Sequence, residues 1–189
     1  MFPFGSLLEK LARLTVPAKN EIQVDEANQL LDTRFLDTPA VALERCKNVA
    51  AKMAELTKDG LITAINLFET YNEDKALLVA DLENRVHHYE DALGTYMVKL
   101  SSKTLGDRDS QTLSMLLHCI GDLERISDHS VNIMQSASEI TKKGLKFSEG
   151  AGKELRVYSH AVKDIVELSV HVFLNAVSYT HLRAQRRVV

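Results

Sequence analysis

Two carboxylates on one predicted helix are the residues best suited to chemistry in this sequence. Glu124 and Asp128 are four positions apart in the string GDLERISDH at 121–129. Residues at this spacing lie about 40° apart on a helix, so the two negative charges repel each other. Arg125 could compensate them through an ion pair with Asp128. The sharper alternative is a metal ion, because carboxylate oxygens are typical ligands of magnesium, calcium, manganese and iron.

Other polar residues are further candidate metal ligands, but together they match no known metal-binding motif. Four histidines could join a metal site, although each is more simply a surface histidine: His87, His88, His118 and His129. Asp122 and Asn132 flank the carboxylate pair and are candidate outer partners. The sequence contains no Glu-x-x-His, the pairing of ferritin-like di-metal bundles, and no His-Glu-x-x-His or Cys-x-x-Cys. We assign no catalytic residue and expect that the chain is not an enzyme.

The carboxylate pair lies on a predicted helix that covers 107–143. Its apolar stripe recurs at steps of three and four: Leu113, Leu116, Ile120, Leu123, Ser127, Ser130, Met134 and Ala137. This period is typical of a helix with one buried face. Lys142 and Lys143 in the last turn, followed by Gly144, predict the end of the helix.

Three further helices are predicted, at about 39–71, 73–101 and from 148–153 to 177. Thr38 and Asn72 are the expected N-caps of the first two. The second helix has the stripe Leu78, Leu82, Val86, Tyr89, Leu93, Tyr96 and Leu100, and the fourth has Leu155, Tyr158, Val162, Ile165, Leu168, Val172 and Ala176. Gly60 in the first helix marks either a close contact with a neighbouring helix or a break at Asp59. The fold class is therefore an all-α antiparallel bundle of long helices.

Composition narrows the class of protein. The chain has 189 residues, a net charge of −3, 45% hydrophobic residues and only three prolines, which favours one domain of long helices. This charge gives no case for nucleic-acid binding. Cys46 and Cys119 are expected to be buried thiols of a reducing compartment. No run of 18 apolar residues occurs, so the chain is not expected to span a membrane by itself.

The string DLERISDHSVNI at 122–133 resembles the signature of PhoU-type domains, the helical regulators of phosphate uptake. Glu124 and Asp128 match the family pattern of an acidic residue, three spacers and Asp, whereas Ser127 stands where the family usually has Gly. The resemblance implies three-helix repeats and a metal ion at Glu124 and Asp128. The chain would hold one whole repeat and the first helix of a second. Family metal clusters draw acids from both repeats, so a complete cluster would be in doubt.

Two more strings resemble a particular branch of that family. LDTRFLDTPAVAL at 31–43 is similar to the segment that joins the membrane part of bacterial sodium/phosphate cotransporters to their PhoU-like domain. PFGSLLEKLARLTVP at 3–17 looks like the end of their last membrane helix. We therefore divide the chain into a juxtamembrane segment at 1–17, a linker at 18–37 and a PhoU-like helical domain at 38–177. The basic stretch 178–189 is interpreted as a non-native tail, with a genuine basic tail as the alternative.

The resemblance implies the cytosolic regulatory domain of a sodium-dependent phosphate symporter, at the cytoplasmic face of the bacterial inner membrane. Its expected partners are the transmembrane part of the same transporter and, through the leucine stripe of 1–17, the membrane surface. A homo-oligomer is also possible, and no nucleic acid is expected. Two alternatives stay open: a free-standing PhoU-type adaptor between a phosphate transporter and its sensor kinase, and a carboxylate-bridged metalloenzyme.

Overall fold

The computed structural model describes Ala27 and residues 29–185, with side chains as far as Val177. These residues contain helices and no strand, which confirms the all-α prediction. The predicted juxtamembrane segment 1–17 and the side chains of the predicted tail 178–189 lie outside the described residues. The elements in chain order are a 3-10 helix Thr33–Asp37, α1 Pro39–Asn66, α2 Glu73–Ser101, α3 Asp107–Lys142 and α4 Glu149–Gln185.

Helices α1, α2 and α3 form a three-helix bundle with short connections, so consecutive helices run antiparallel. Their predicted stripes meet in one core, and its largest fully buried side chains include Met53, Leu93, Met97, Leu116 and Ile120. In α3, seven of the eight predicted stripe residues are buried and Met134 is half-buried. In α2, Leu78 differs from the prediction because it is 45% exposed, and the adjacent Val79 is buried in its place.

The helix ends follow the cap residues better than the apolar period. The Asn72 side chain accepts a hydrogen bond from the Lys75 backbone N–H at 3.0 Å, and Gly144 adopts the left-handed backbone (φ 62°) that ends α3. Helix α1 ends at Asn66, earlier than predicted. Tight turns follow, in which the amide of Leu67 bonds to the carbonyl of Ala64. Leu67 is nevertheless buried in this turn. The apolar period therefore continues past the end of the helix, and the end predicted from that period lies too late in the sequence.

Gly60 lies in the buried interior of α1, at its contact with α2. The helix continues through Asp59 and Gly60, so the alternative of a break at this point is wrong. A Cβ atom at position 60 would lie 3.7 Å from the Cβ of Leu82 on α2. Gly60 therefore lies at a helix–helix contact, as predicted, but the contact leaves room for a Cβ at ordinary van der Waals distance.

Part of the predicted linker packs on the bundle. Leu31 and Leu36 are buried in the core. The guanidinium of Arg45 on α1 lies 3.8 Å from the centre of the Phe35 ring, which is a cation–π contact. The hydroxyl of Tyr96 on α2 donates to the carbonyl of Asp32 at 3.1 Å. Residues 31–36, which we call the connector, are thus fixed to both α1 and α2.

Helix α4 contacts α1 but neither α2 nor α3. Lys163 Nζ donates to the side-chain oxygen of Asn66 at 2.6 Å, and Val170 and Val177 are buried against the core. The stripe predicted for this helix faces solvent instead, since Tyr158, Ile165 and other members are exposed. Its backbone stays helical beyond Val177, to Gln185. Within the described residues, no helix is both long and apolar enough to cross a membrane.

Candidate functional site

Glu124 and Asp128 lie together on one edge of α3. The buried face of α3 centres on Leu116 and Ser127. By helix geometry, Glu124 lies about 80° from that centre and Asp128 about 120° from it. Glu124 is accordingly half-buried and Asp128 is exposed. The two carboxylates share an edge of α3, and Glu124 lies closer to the buried face than Asp128 does.

Arg125 does not neutralise this pair. It lies on the side of α3 directly opposite the buried face and is exposed. Among the described residues, no ion pair joins Arg125 to Asp128 or to Glu124. The ion-pair alternative for the two carboxylates is therefore not realised in this structure.

A third carboxylate, Glu90 on α2, comes close to Glu124. Burial raises the pKa of Glu90 above its ordinary value, and the negative charges of Asp91 and Glu124 raise it further, while His87 lowers it. Glu90 is half-buried. We call Glu90, Glu124 and Asp128 the carboxylate edge. Helices α2 and α3 supply it, and the negative charges of Glu90 and Glu124 interact.

The sequence reasoning missed Glu90. Glu90 directly follows Tyr89 of the α2 stripe. The helical period could therefore have predicted that Glu90 lies at the border of the buried face of α2. Which border faces α3 depends on the handedness of the bundle, and the period of one helix does not contain that information.

The predicted histidine and outer partners do not converge on the carboxylate edge. All four histidines are exposed, and His87 Nε2 lies 3.7 Å from a carboxylate oxygen of Asp91. Asp122 lies on the other side of α3. There it helps to raise the pKa of the half-buried Cys119 thiol, which burial raises most. Asn132 is exposed. No group of three or more His, Cys, Asp or Glu residues in the described chain could hold a metal ion.

The carboxylate edge therefore does not fit a complete metal site. Its donors are all carboxylate oxygens, which suit hard cations. Such ions usually take six or more ligands, and water would have to supply most of them here. The arrangement offers at most one side of a binding site.

Comparison with known families gives a match to part of the bundle that carries this edge. Residues 50–137 match the family model of the PhoU domain. The match begins in α1 and ends in α3, so it includes Glu90, Glu124 and Asp128. The PhoU family is a family of regulatory helical domains. The comparisons with curated proteins and with solved structures found no match.

Proposed function

We propose that this chain is the cytosolic regulatory domain of a sodium-dependent phosphate symporter. The PhoU match at 50–137 supports a role in phosphate homeostasis. The connector supports the transporter context, because its sequence resembles the segment between the membrane part and the PhoU-like domain of such cotransporters. The observation that carries the proposal is that the connector packs on α1 and α2, two of the helices that match the PhoU domain, and does not extend away from them.

The contacts of the connector give a route for regulation. Phe35 lies under Arg45 of α1, and the carbonyl of Asp32 accepts from Tyr96 of α2. A displacement of the connector must therefore move α1 and α2 or break these contacts. A transporter with two states could use this difference, because any bundle arrangement that fits one connector position better shifts the population of states.

The upstream coding sequence separates the two phosphate-related alternatives. We expect the reading frame upstream of Met1 to be open and to encode several apolar segments of about 20 residues, each long enough to span a membrane. An in-frame stop codon directly before Met1 would instead support the free-standing adaptor.

Transport by the whole protein then tests the connector. We would reconstitute the complete transporter in liposomes and measure sodium-driven uptake of labelled phosphate. Arg45→Ala, which removes the contact with Phe35, should change the uptake rate. Arg108→Ala, at an exposed position of α3, is the matched control and should not. No sodium-dependent uptake, or an equal response of both variants, would contradict the proposal.

Metal binding at Glu124 and Asp128 stays a prediction with its own test. A cation bound only by the native state raises the melting temperature as its concentration rises. We expect such a rise with Mn²⁺, Fe²⁺, Mg²⁺ or Ca²⁺, and a smaller one in Glu124→Gln and Asp128→Asn. Glu55→Gln, at an exposed carboxylate of α1, is the control. Without metal, Glu124→Gln should be neutral or slightly stabilising because it removes repulsion with Glu90. A melting temperature that responds to none of the four ions would refute metal binding.

A further inference from the structure

The buried apolar residues of the bundle form two separate clusters. One cluster lies at the end of the bundle that holds the connector, and it includes Leu31, Met53 and Leu116. The other cluster lies at the opposite end. Its five buried members are Ala64, Leu67, Ala76, Val79 and Ala137. We call these two parts of the bundle the connector half and the distal half.

Buried hydroxyl groups lie between the two clusters. Thr57 of α1 donates to the backbone carbonyl of Leu123 on α3 at 3.4 Å, and Ser130 of α3 donates to the carbonyl of Ile126 at 3.0 Å. Ser127 is buried on the same face of α3. We call Thr57, Ser127 and Ser130 the hydroxyl layer. They are all but one of the buried polar or charged residues in the described part of the chain, so polarity is concentrated where the two clusters are divided.

The distal half buries little apolar surface. Three of its five buried residues are alanines, each of which removes less apolar area from water than a leucine or methionine does. A groove of about 480 Å³ lies between α2 and α3 in this half, and Ala76, Ala80 and Met134 are among the residues that line it. Regions with few buried apolar contacts open at a lower free energy than the rest of a protein. We therefore expect the distal half to open more easily.

The connector half is stabilised by elements outside the three-helix bundle. Leu31 of the connector is buried in its cluster, and so are Val170 and Val177 of α4. Helix α4 also contacts the distal half, because Lys163 donates a hydrogen bond to Asn66. One hydrogen bond contributes less to stability than the burial of two valines. The contacts of α4 therefore stabilise the connector half more than the distal half.

We propose that the bundle opens in two steps, in which the distal half opens first while the connector half stays folded. The boundary lies at the hydroxyl layer, so the end of α1, the start of α2 and the end of α3 open together. The connector stays attached throughout, which gives the domain one fixed end and one movable end. The two-step opening does not rest on the proposed role in phosphate transport, and a single cooperative opening would leave that role standing.

Native-state hydrogen exchange, measured by mass spectrometry of the 189-residue protein, follows the two openings. After correction for intrinsic rates, amides at 76–82 and 130–138 should exchange at least about tenfold faster than those at 89–97 and 116–123. Exchange of the first set should also depend less steeply on urea concentration, because a partial opening exposes less surface than complete unfolding.

Two buried valines of α2 form a matched pair that separates the two openings. Val79 in the distal half and Val86 in the connector half are both 0% exposed. Val86→Ala should speed exchange of the connector half about tenfold and leave the distal half unchanged, because the contacts of Val86 persist while the distal half is open. Val79→Ala should speed exchange of both halves by the same factor, because it destabilises the native state relative to both open states.

Three results would overturn the proposal. The first is equal acceleration of both halves by Val86→Ala, which a single cooperative unit would give. The second is an unchanged connector half in Val79→Ala, because the connector half would then open without the distal half. The third is equal exchange of the two sets of amides in the wild type at every urea concentration. This wild-type series decides by itself if circular dichroism shows that a variant does not fold.

Discussion

Substitutions at Gly60 test the packing of α1 against α2. Glycine in a helix interior costs about 1 kcal/mol relative to alanine. A Cβ at this position would lie 3.7 Å from Leu82 Cβ and 3.9 Å from its Cδ1, which is ordinary van der Waals contact. Gly60→Ala should therefore stabilise the protein by about 1 kcal/mol, although the site is buried. Gly60→Leu forces three more carbon atoms into the contact and should destabilise by about 1–3 kcal/mol.

Urea denaturation followed by circular dichroism at 222 nm measures both changes, and about 1 kcal/mol corresponds to roughly 2–4 °C in melting temperature for a chain of this length. Gly121 on α3 is the matched control, because it is also interior to a helix but a Cβ there meets nothing within 4 Å. Gly121→Ala should stabilise similarly, and Gly121→Leu should not destabilise. Loss of stability in Gly60→Ala, or equal tolerance of leucine at both positions, would refute the packing argument.

Four further results are expected. Asn72→Ala removes the N-cap of α2 and should lower the unfolding free energy by about 1 kcal/mol in urea denaturation. Glu90→Gln should stabilise the protein at pH 7, and melting temperatures measured against pH should show the gain shrink as pH falls, because the raised pKa of Glu90 means that only its ionised form is unfavourable in the fold. A maleimide should label half-buried Cys119 faster than buried Cys46, as mass spectrometry of the native protein would show. Deleting residues 1–17 should weaken co-sedimentation with anionic liposomes.

The three-helix bundle could be predicted because each of its helices has one dominant apolar face. The stripe of α3 from Leu113 to Ala137 is buried almost as the period predicts. Cap chemistry at Asn72 and Gly144 is local and placed these helix ends correctly. The end of α1 was misplaced because Leu67 packs in the core from a turn, so burial there does not require a helix.

Helix α4 could not be predicted in the same way because it carries two apolar faces. The predicted stripe contains Tyr158, Ile165 and Val172, yet the face that packs on α1 is the one with Val170 and Val177. The apolar period of a helix shows that one of its faces is suited to burial. It does not show which of two apolar faces packs on another helix of the same chain. For the same reason Glu90 could not be predicted as a neighbour of Glu124, because their proximity depends on how α2 packs against α3.

Helix α1 contacts several other parts of the chain. Arg45 on α1 holds the connector through Phe35. Further along the same helix, the hydroxyl of Thr57 donates to the backbone carbonyl of Leu123 at 3.4 Å, and Leu123 directly precedes Glu124 of the carboxylate edge. Asn66 at its end accepts from Lys163 of α4. Helix α1 therefore contacts the connector, the part of α3 that carries Glu124, and α4. Under the proposed regulatory role, α1 is the helix that would transmit a displacement of the connector, because among the described helices it is the one that contacts all three parts.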